Sequence, residues 1–360
     1  MSRVADKLIK AETVATSGSD FTKLLTVAGQ GGTTLLNDLD DASEIDYFFN
    51  SNFSASTYGG ANLYAKVDDT NKVFLVTNQN ADRLSIADWS DDTNIVYADH
   101  IVDSTRLDRA FNVAIDPIKE FAYTTSFGVT TNRQICRYDY SDPTNLTFKW
   151  GLLDSSAKYG LTVNPTRELL YYFSGTNFYT YDISPTGTNV MVFKDFLYMA
   201  ALPNYVQDTF LDIDNDILYA ATNQDRLLAI DVSTDTAAVL LDDLQDNTNL
   251  DMASAVSVDV DAGIAFVITR YGKISSIDVS DPSSLVLLDT YSGVGYSNDT
   301  TKRSMAIDAG AKRVYTSYGT SFSPAGVKVI DYSDPSNLTL ETTIDHTSNS
   351  YKGAKVHLYN

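Results

Sequence analysis

The sequence predicts an all-β protein, a seven-bladed β-propeller of four-stranded antiparallel blades closed by the C-terminal strand joining the N-terminal blade. Three observations predict it: a unit that recurs at near-constant spacing, a second landmark inside each unit, and a composition suited to short strands and polar turns.

The recurring unit is an alternating stretch that ends in Asp or Asn, then a turn, then an apolar strand. Asn112-Val113-Ala114-Ile115-Asp116 with Phe121 and Tyr123 is one copy, and Leu161-Thr162-Val163-Asn164 with Leu169 and Tyr171 is another. The anchors Asp68, Asp116, Asn164, Asp212, Asp259 and Asp308 are separated by 48, 48, 48, 47 and 49 residues. Such regularity defines one supersecondary unit, repeated. The anchor Asp residues are expected to accept backbone N–H groups of the following turn rather than to form a ring of catalytic acids.

The second landmark is a strand ending in Asp and often continuing as Ser-Asp-Pro. Arg137-Tyr138-Asp139-Tyr140-Ser141-Asp142-Pro143, Ile277-Asp278-Val279-Ser280-Asp281-Pro282 and Ile330-Asp331-Tyr332-Ser333-Asp334-Pro335 carry it in full. Degenerate forms stand at Asp88, Asp182 and Asp231. Pro presets a turn φ and removes a ladder donor, while the Asp carboxylate takes local N–H groups. An apolar strand follows, as in Leu285-Val286-Leu287-Leu288, so each unit holds four short strands.

Six units cover roughly 60–345. Lys355-Val356-His357-Leu358-Tyr359 looks like a further first strand, and Asp20, with Leu25 and Val27 after it, lies one period before Asp68. The C-terminus is therefore expected to complete a blade begun by residues 20–55, which removes free sheet edges. Residues 8–16 are the alternative source of that strand. Residues 1–19 read as a polar N-terminal arm, and 20–360 as the propeller, a single domain. The Ile-Asp-Val-Ser-Asp-Pro units resemble the LVIVD repeat, a β-propeller repeat family, over 60–345 and most closely at 277–288 and 330–340. That resemblance implies an architecture and no chemistry, because the family shares no catalytic motif.

Composition narrows the function classes. Hydrophobic residues make up 43%, ample for a core, with 23 Tyr and 16 Phe against 2 Trp. A net charge of −21, from 26 basic and 47 acidic residues, repels phosphate backbones and anionic lipid, which excludes nucleic acid as a partner. No run is long enough to span a bilayer and no early segment has the apolar core of a signal peptide. Synthesis in the cytoplasm without a signal peptide and no membrane insertion are the expectations. Without a secretion signal, the sequons at Asn52, Asn145, Asn298 and Asn337 give no support for glycosylation. Cys136 is the single cysteine, which rules out a disulfide framework and a Cys-based zinc site. His100, His346 and His357 are scattered, and no nucleophile elbow, metalloprotease motif or phosphate loop is present, so no cofactor is expected.

Two sets of residues invite a functional reading. Asp212, Asp214 and Asp216 offer closely spaced carboxylates, but Ile217 stands where cation loops place Gly and no bidentate Glu follows, so a solvated turn is expected and no metal. The links between units, roughly 99–110, 195–208, 242–254, 290–303 and 343–353, are long and varied. They carry Tyr198, Tyr205, Tyr291, Tyr296 and Tyr351, with Arg109, Lys158, Arg303 and Lys352 just before first strands. Aromatic loops on a rigid scaffold form recognition surfaces, so these nine residues are the candidate ligand- or partner-binding set.

The functional expectation from composition is a non-catalytic structural or interaction module, adhesive or decorating, of an extracellular particle such as a phage or virus virion. Its partners would be protein neighbours in an assembly, with glycan as the other class. A glycan-binding propeller is one alternative, and a polysaccharide-acting hydrolase or lyase with a site at the channel mouth is another.

Overall fold

The computed structural model describes residues 23–29, 33–38, 45–49, 63–78, 82–90, 96–126, 134–153, 157–184, 191–199, 206–294, 305–318, 326–345 and 352–359. Their regular structure is entirely strand, in four-stranded antiparallel sheets. Six sheets use four consecutive strands each. They are β4 (Leu63–Asp68), β5 (Val73–Asn78), β6 (Arg83–Asp88) and β7 (Val96–Val102); β8 (Ala110–Asp116), β9 (Phe121–Ser126), β10 (Gln134–Asp139) and β11 (Thr147–Leu153); β12 (Ala157–Asn164), β13 (Leu169–Ser174), β14 (Asn177–Asp182) and β15 (Val192–Tyr198). The others are β16 (Val206–Asp212), β17 (Ile217–Thr222), β18 (Arg226–Asp231) and β19 (Val239–Gln245); β20 (Ala253–Asp259), β21 (Ile264–Thr269), β22 (Ile274–Asp278) and β23 (Val286–Tyr291); β24 (Met305–Asp308), β25 (Arg313–Tyr318), β26 (Gly326–Asp331) and β27 (Thr339–Asp345).

A further sheet joins the two ends of the chain. The terminal strand β28 (Lys352–Tyr359) pairs antiparallel with β1 (Lys23–Gly29), from Lys23 opposite Tyr359 to Gly29 opposite Lys352. Strands β2 (Thr33–Asp38) and β3 (Ile45–Phe49) follow, giving the order β28-β1-β2-β3. The edge strand of this sheet therefore comes from the C-terminus. The expected N-terminal arm, 1–19, and the alternative strand, 8–16, lie outside the described residues.

By contacts the chain divides into two compact units, one of residues 1–50, 207–230 and 240–360 and the other of 51–206 and 231–239. The same local devices build both. Each anchor closes the turn after its strand: Asp68, Asp116, Asn164, Asp212, Asp259 and Asp308 accept the N–H three residues on, at 2.9–3.1 Å. The residue four beyond each anchor takes a left-handed conformation. These are Lys72, Glu120, Glu168, Asp216, Gly263 and Lys312, with φ between 53° and 65°. Only one is glycine, so the carboxylate-capped turn holds side-chain-bearing residues in a backbone region they disfavour. The carbonyls of Lys72, Glu120, Glu168, Gly263 and Lys312 then accept N–H groups from Trp89, Tyr140, Ile183, Val279 and Tyr332, just past each third strand, at 2.8–2.9 Å.

Two anchors are also gripped by a tyrosine of the next sheet. Tyr140 Oη donates to Asp68 Oδ2 at 2.7 Å, and Tyr332 Oη donates to Asp259 Oδ2 at 2.8 Å. Both pairs are buried.

Strand alternation sends successive residues to opposite cores. In the β8–β11 sheet, Val113, Ala122 and Cys136 pack with Val73, Leu75 and Ile86, while Ala114, Tyr123 and Ile135 pack with Leu161, Val163 and Tyr172. The β20–β23 sheet is shared the same way, Val258 and Val267 with Ile217 and Tyr219, Phe266 and Ile268 with Val314 and Ile330. Burial on both faces explains why the second strands β13, β17 and β21 read as apolar runs up to a final Ser or Thr, with every residue buried.

In three of the fourth strands, β7, β15 and β23, a β-bulge aims a carboxylate at a neighbouring element. The extra residue falls just before Asp99, Asp195 and Asp289. Those aspartates, with Asp242, accept the N–H of Leu146, Ala238, Leu338 and Leu285 at 2.7–3.1 Å. Three of these donors are the buried Leu that ends an Asp-Pro turn.

Tyr140→Phe is expected to destabilise the protein by about 1.5–3 kcal/mol, the worth of a hydrogen bond to a buried charged group, read as a shift in urea midpoint at unchanged slope. A second expectation concerns acid. The Ser280 hydroxyl and then its N–H hold the Asp278 carboxyl below its ordinary value of 3.8. A depressed folded-state pKa gives stability that is present above the unfolded value and lost as pH falls through the folded one. Wild type should therefore lose thermal stability faster than Asp278→Asn as pH is lowered from 3.8, and parallel melting curves would refute this.

Candidate functional site

The described links between sheets are polar and carry carboxylates. Residues Asp103-Ser104-Thr105-Arg106-Leu107-Asp108-Arg109-Ala110 lead from β7 to β8, and Asp246-Asn247-Thr248-Asn249-Leu250-Asp251-Met252-Ala253 lead from β19 to β20. Asp, Thr, Leu, Asp and Ala match at the same places, and so does the hydrogen bonding. Asp103 Oδ1 accepts the N–H groups of Thr105 and Arg106 at 2.9 Å each, and Asp246 Oδ1 those of Thr248 and Asn249 at 2.8 and 2.9 Å. Leu107 and Leu250 are fully buried plugs whose N–H groups return to the carbonyls of Asp103 and Asp246.

Each link is also sewn to the turn between second and third strands. Asp82 Oδ1 accepts the Arg109 N–H at 2.8 Å, and Asp225 Oδ1 accepts the Met252 N–H at 2.7 Å. Arg109 and Met252 are left-handed, with φ of 53° and 52°. Two carboxyl groups are thus gathered in each place, Asp82 with Asp108 and Asp225 with Asp251. Burial, then the Asp108 and Asp103 charges, push Asp82 above the usual carboxylate range, opposed by the Arg109 N–H. Burial and then Asp225 push Asp251 up, against the pull of Lys273. A carboxyl raised in this way is a better proton acceptor once ionised, which suits general acid–base work.

Five of the nine candidate binding residues fall among the described ones. Arg109 meets Asp82 through its backbone, while its side chain is exposed. Tyr198 and Tyr291 are the last residues of β15 and β23 rather than loop residues. Tyr291 folds back against Gly293 and packs on the core beside Ile274 and Val294. Lys158 lies within β12 and Lys352 opens β28. Tyr205, Tyr296, Arg303 and Tyr351 lie outside the described residues. The described links at 103–109 and 246–252 contain no aromatic residue. These two links share a repeated carboxylate motif, legible as Asp-x-Thr-x-Leu-Asp-x-Ala.

Asp212 caps its own turn, taking the N–H and side-chain amide of Asn215 at 3.1 and 2.8 Å, while Asp214 is exposed and Asp216 occupies the left-handed position. Among the described residues no group of three His, Cys, Asp or Glu side chains could hold a metal ion, and no helix is long and apolar enough to cross a membrane. Cys136 is fully buried, and burial pushes its thiol up to about 12. It is poorly suited to nucleophilic attack. A thiol-disulfide colour reagent near neutral pH should find no reactive thiol in the folded protein and one per chain in guanidinium; rapid native labelling would contradict the burial.

No family model matches the sequence, nor does any curated protein, so the LVIVD resemblance rests on its motifs alone. Solved structures share the fold from end to end. A protein from Lactobacillus plantarum matches with a TM-score of 0.72 and 13% identity, covering 94% of this chain and 100% of that one. A putative 6-phosphogluconolactonase from Bacteroides fragilis matches with a TM-score of 0.71 and 9% identity, covering 95% and 99%. The periplasmic gluconolactonase of Pseudomonas aeruginosa matches with a TM-score of 0.69 and 12% identity, covering 93% and 98%. These likenesses place the chain in the β-propeller class of folds.

They also overturn the expectation of a non-catalytic virion or phage module. Two of these propellers carry the names of lactonases, one of them putative, so an acidic composition rich in Thr, Ser and Tyr does not by itself mark a particle component. The accompanying expectation that the chain is no enzyme is corrected by the same finding.

Proposed function

We propose that the chain is a closed seven-bladed propeller, with β28 completing the sheet of β1–β3, and that it is a hydrolase acting on sugar lactones or similar cyclic esters. The likeness to a gluconolactonase and a putative 6-phosphogluconolactonase over at least 93% of this chain carries the reading. Lactone hydrolysis needs a base to take a proton from water as its oxygen joins the carbonyl carbon. The acyl–oxygen bond then breaks, the ring oxygen leaves as a hydroxyl, and the product acid releases one proton at neutral pH. The carboxyls of the repeated links supply a base, and we assign that role to Asp108 or Asp251, which hold the same place in the two links. Asp82 and Asp225 would hold the links, through Arg109 and Met252.

Titrating the acid released from gluconolactone and 6-phosphogluconolactone, against the uncatalysed rate, tests the reading. The expected result is enzyme-dependent acid release that falls about 10²-fold or more in Asp108→Asn or in Asp251→Asn, with melting temperature retained. No acceleration on either lactone would overturn the reading, and full activity in both variants would overturn the assignment of the base.

A further inference from the structure

We propose that the outer half of the β12–β15 sheet is a binding site for neutral saccharides, separate from the carboxylate-bearing links. Its floor is a pavement of aromatic rings. Tyr179 and Tyr181 of β14 lie opposite Phe196 and Phe193 of β15, and the bulge beside Asp195 is what brings both phenylalanines to one face. The Tyr181 and Phe193 rings meet edge to face at 5.7 Å, Tyr179 and Phe196 lie 6.3 Å apart, and the two phenylalanines 6.5 Å apart. Buried Tyr172 stacks under Tyr179 at 4.9 Å and 11°, so the pavement continues the core outward. Tyr198, opposite Asn177, extends it along the edge strand.

These rings are open to solvent, with Phe193 50%, Phe196 52% and Tyr198 63% exposed. The other repeats serve as internal comparisons. At the two places held by Phe193 and Phe196 stand Phe148 and Gly151 in β11, Leu287 and Thr290 in β23, and Leu340 and Thr343 in β27, while β7 carries the smaller and more polar ring pair Tyr97 and His100, 5.8 Å apart. Strand register and burial of the scaffold therefore do not require an aromatic pair there. A cluster this apolar on a polar, acidic surface marks a contact site.

Charge selects the occupant. The charges beside the pavement are engaged within the fold: Lys194 pairs with Asp182 at 3.1 Å, and Asp195 accepts the Ala238 N–H at 3.1 Å. The ring faces themselves carry no charge, on a chain of net charge −21. A second copy or an anionic polymer would bring repulsion with nothing at the patch to offset it. A neutral sugar brings none. Its C–H face lies against the flat electron-rich face of a ring, and its rim hydroxyls meet phenol groups. Tyr179 Oη is oriented for this, since it accepts from Asn177 Nδ2 at 3.1 Å and so keeps its own proton to donate. Tyr and Phe lose little rotamer freedom on binding, which favours such a preformed surface.

The test is affinity electrophoresis of the full chain through gels containing laminarin, xylan, galactomannan or soluble starch, with alginate as the anionic comparison. Retardation is expected in at least one neutral polysaccharide and not in alginate. Phe193→Leu and Phe196→Leu keep apolar volume but remove the flat ring, and each should weaken affinity about tenfold or more with the melting temperature preserved. Leu340→Ala, at the matching place in β27, should bind as wild type. Three results would each overturn the proposal: no retardation by any neutral polysaccharide, unchanged retardation in both Leu variants, or a dimer in sedimentation that Phe196→Leu breaks into monomers.

Discussion

The anchor at the end of each first strand is the constraint on which the rest depends. One side chain, Asp in five repeats and Asn in the sixth, takes the N–H three residues ahead and closes a turn that no ladder hydrogen bond would close. The turn forces a left-handed residue at a fixed place, and that residue's carbonyl catches the chain again after the third strand. One short loop thereby sets the register of first, second and third strands together. Where a tyrosine from the next sheet adds its hydroxyl to the same carboxylate, the loop also fixes the spacing between sheets.

The opposite ends of the sheets are organised by the same chemistry. Asp103 and Asp246 cap their links, Leu107 and Leu250 plug them, and Asp82 and Asp225 hold the left-handed residue that delivers the chain into the next first strand. Carboxylates are thus used throughout as local acceptors of backbone N–H groups, which is how a chain with 47 acidic residues spends many of them. Those held near a second acid, as at Asp82 and Asp251, are the ones whose protonation is displaced upward.

Most of the architecture was legible because one chemical requirement recurs: spacing alone located the anchors, the Asp-Pro turns and the pairing of the C-terminus with residues near the N-terminus. The bulges were not legible. One extra residue in an outer strand leaves no compositional trace, and without it Phe193 and Phe196 count onto opposite faces. Tyr198 and Tyr291 were placed in loops because edge strands, exposed on one side, have the polarity of links. The link motif was present in the residues from 103 to 110 and from 246 to 253, but comparing links by length and aromatic content hides a match that lies in their capping residues. Function was misjudged for a related reason: surface composition reports the demands of strand and turn, and says little about what a site does.

The carboxylates that reach from a fourth strand to a backbone N–H of another element give the assembly a nearest-neighbour grammar. In each compact unit, a sheet that opens releases its own ladder and also strips the next one of a half-buried acceptor, leaving the N–H of a buried leucine without its partner. Fraying is thereby penalised at the seam rather than inside the sheet, so melting propagates along the series as an Ising chain with strong coupling would. Sequence drift within a strand is then tolerated far better than drift at those aspartates.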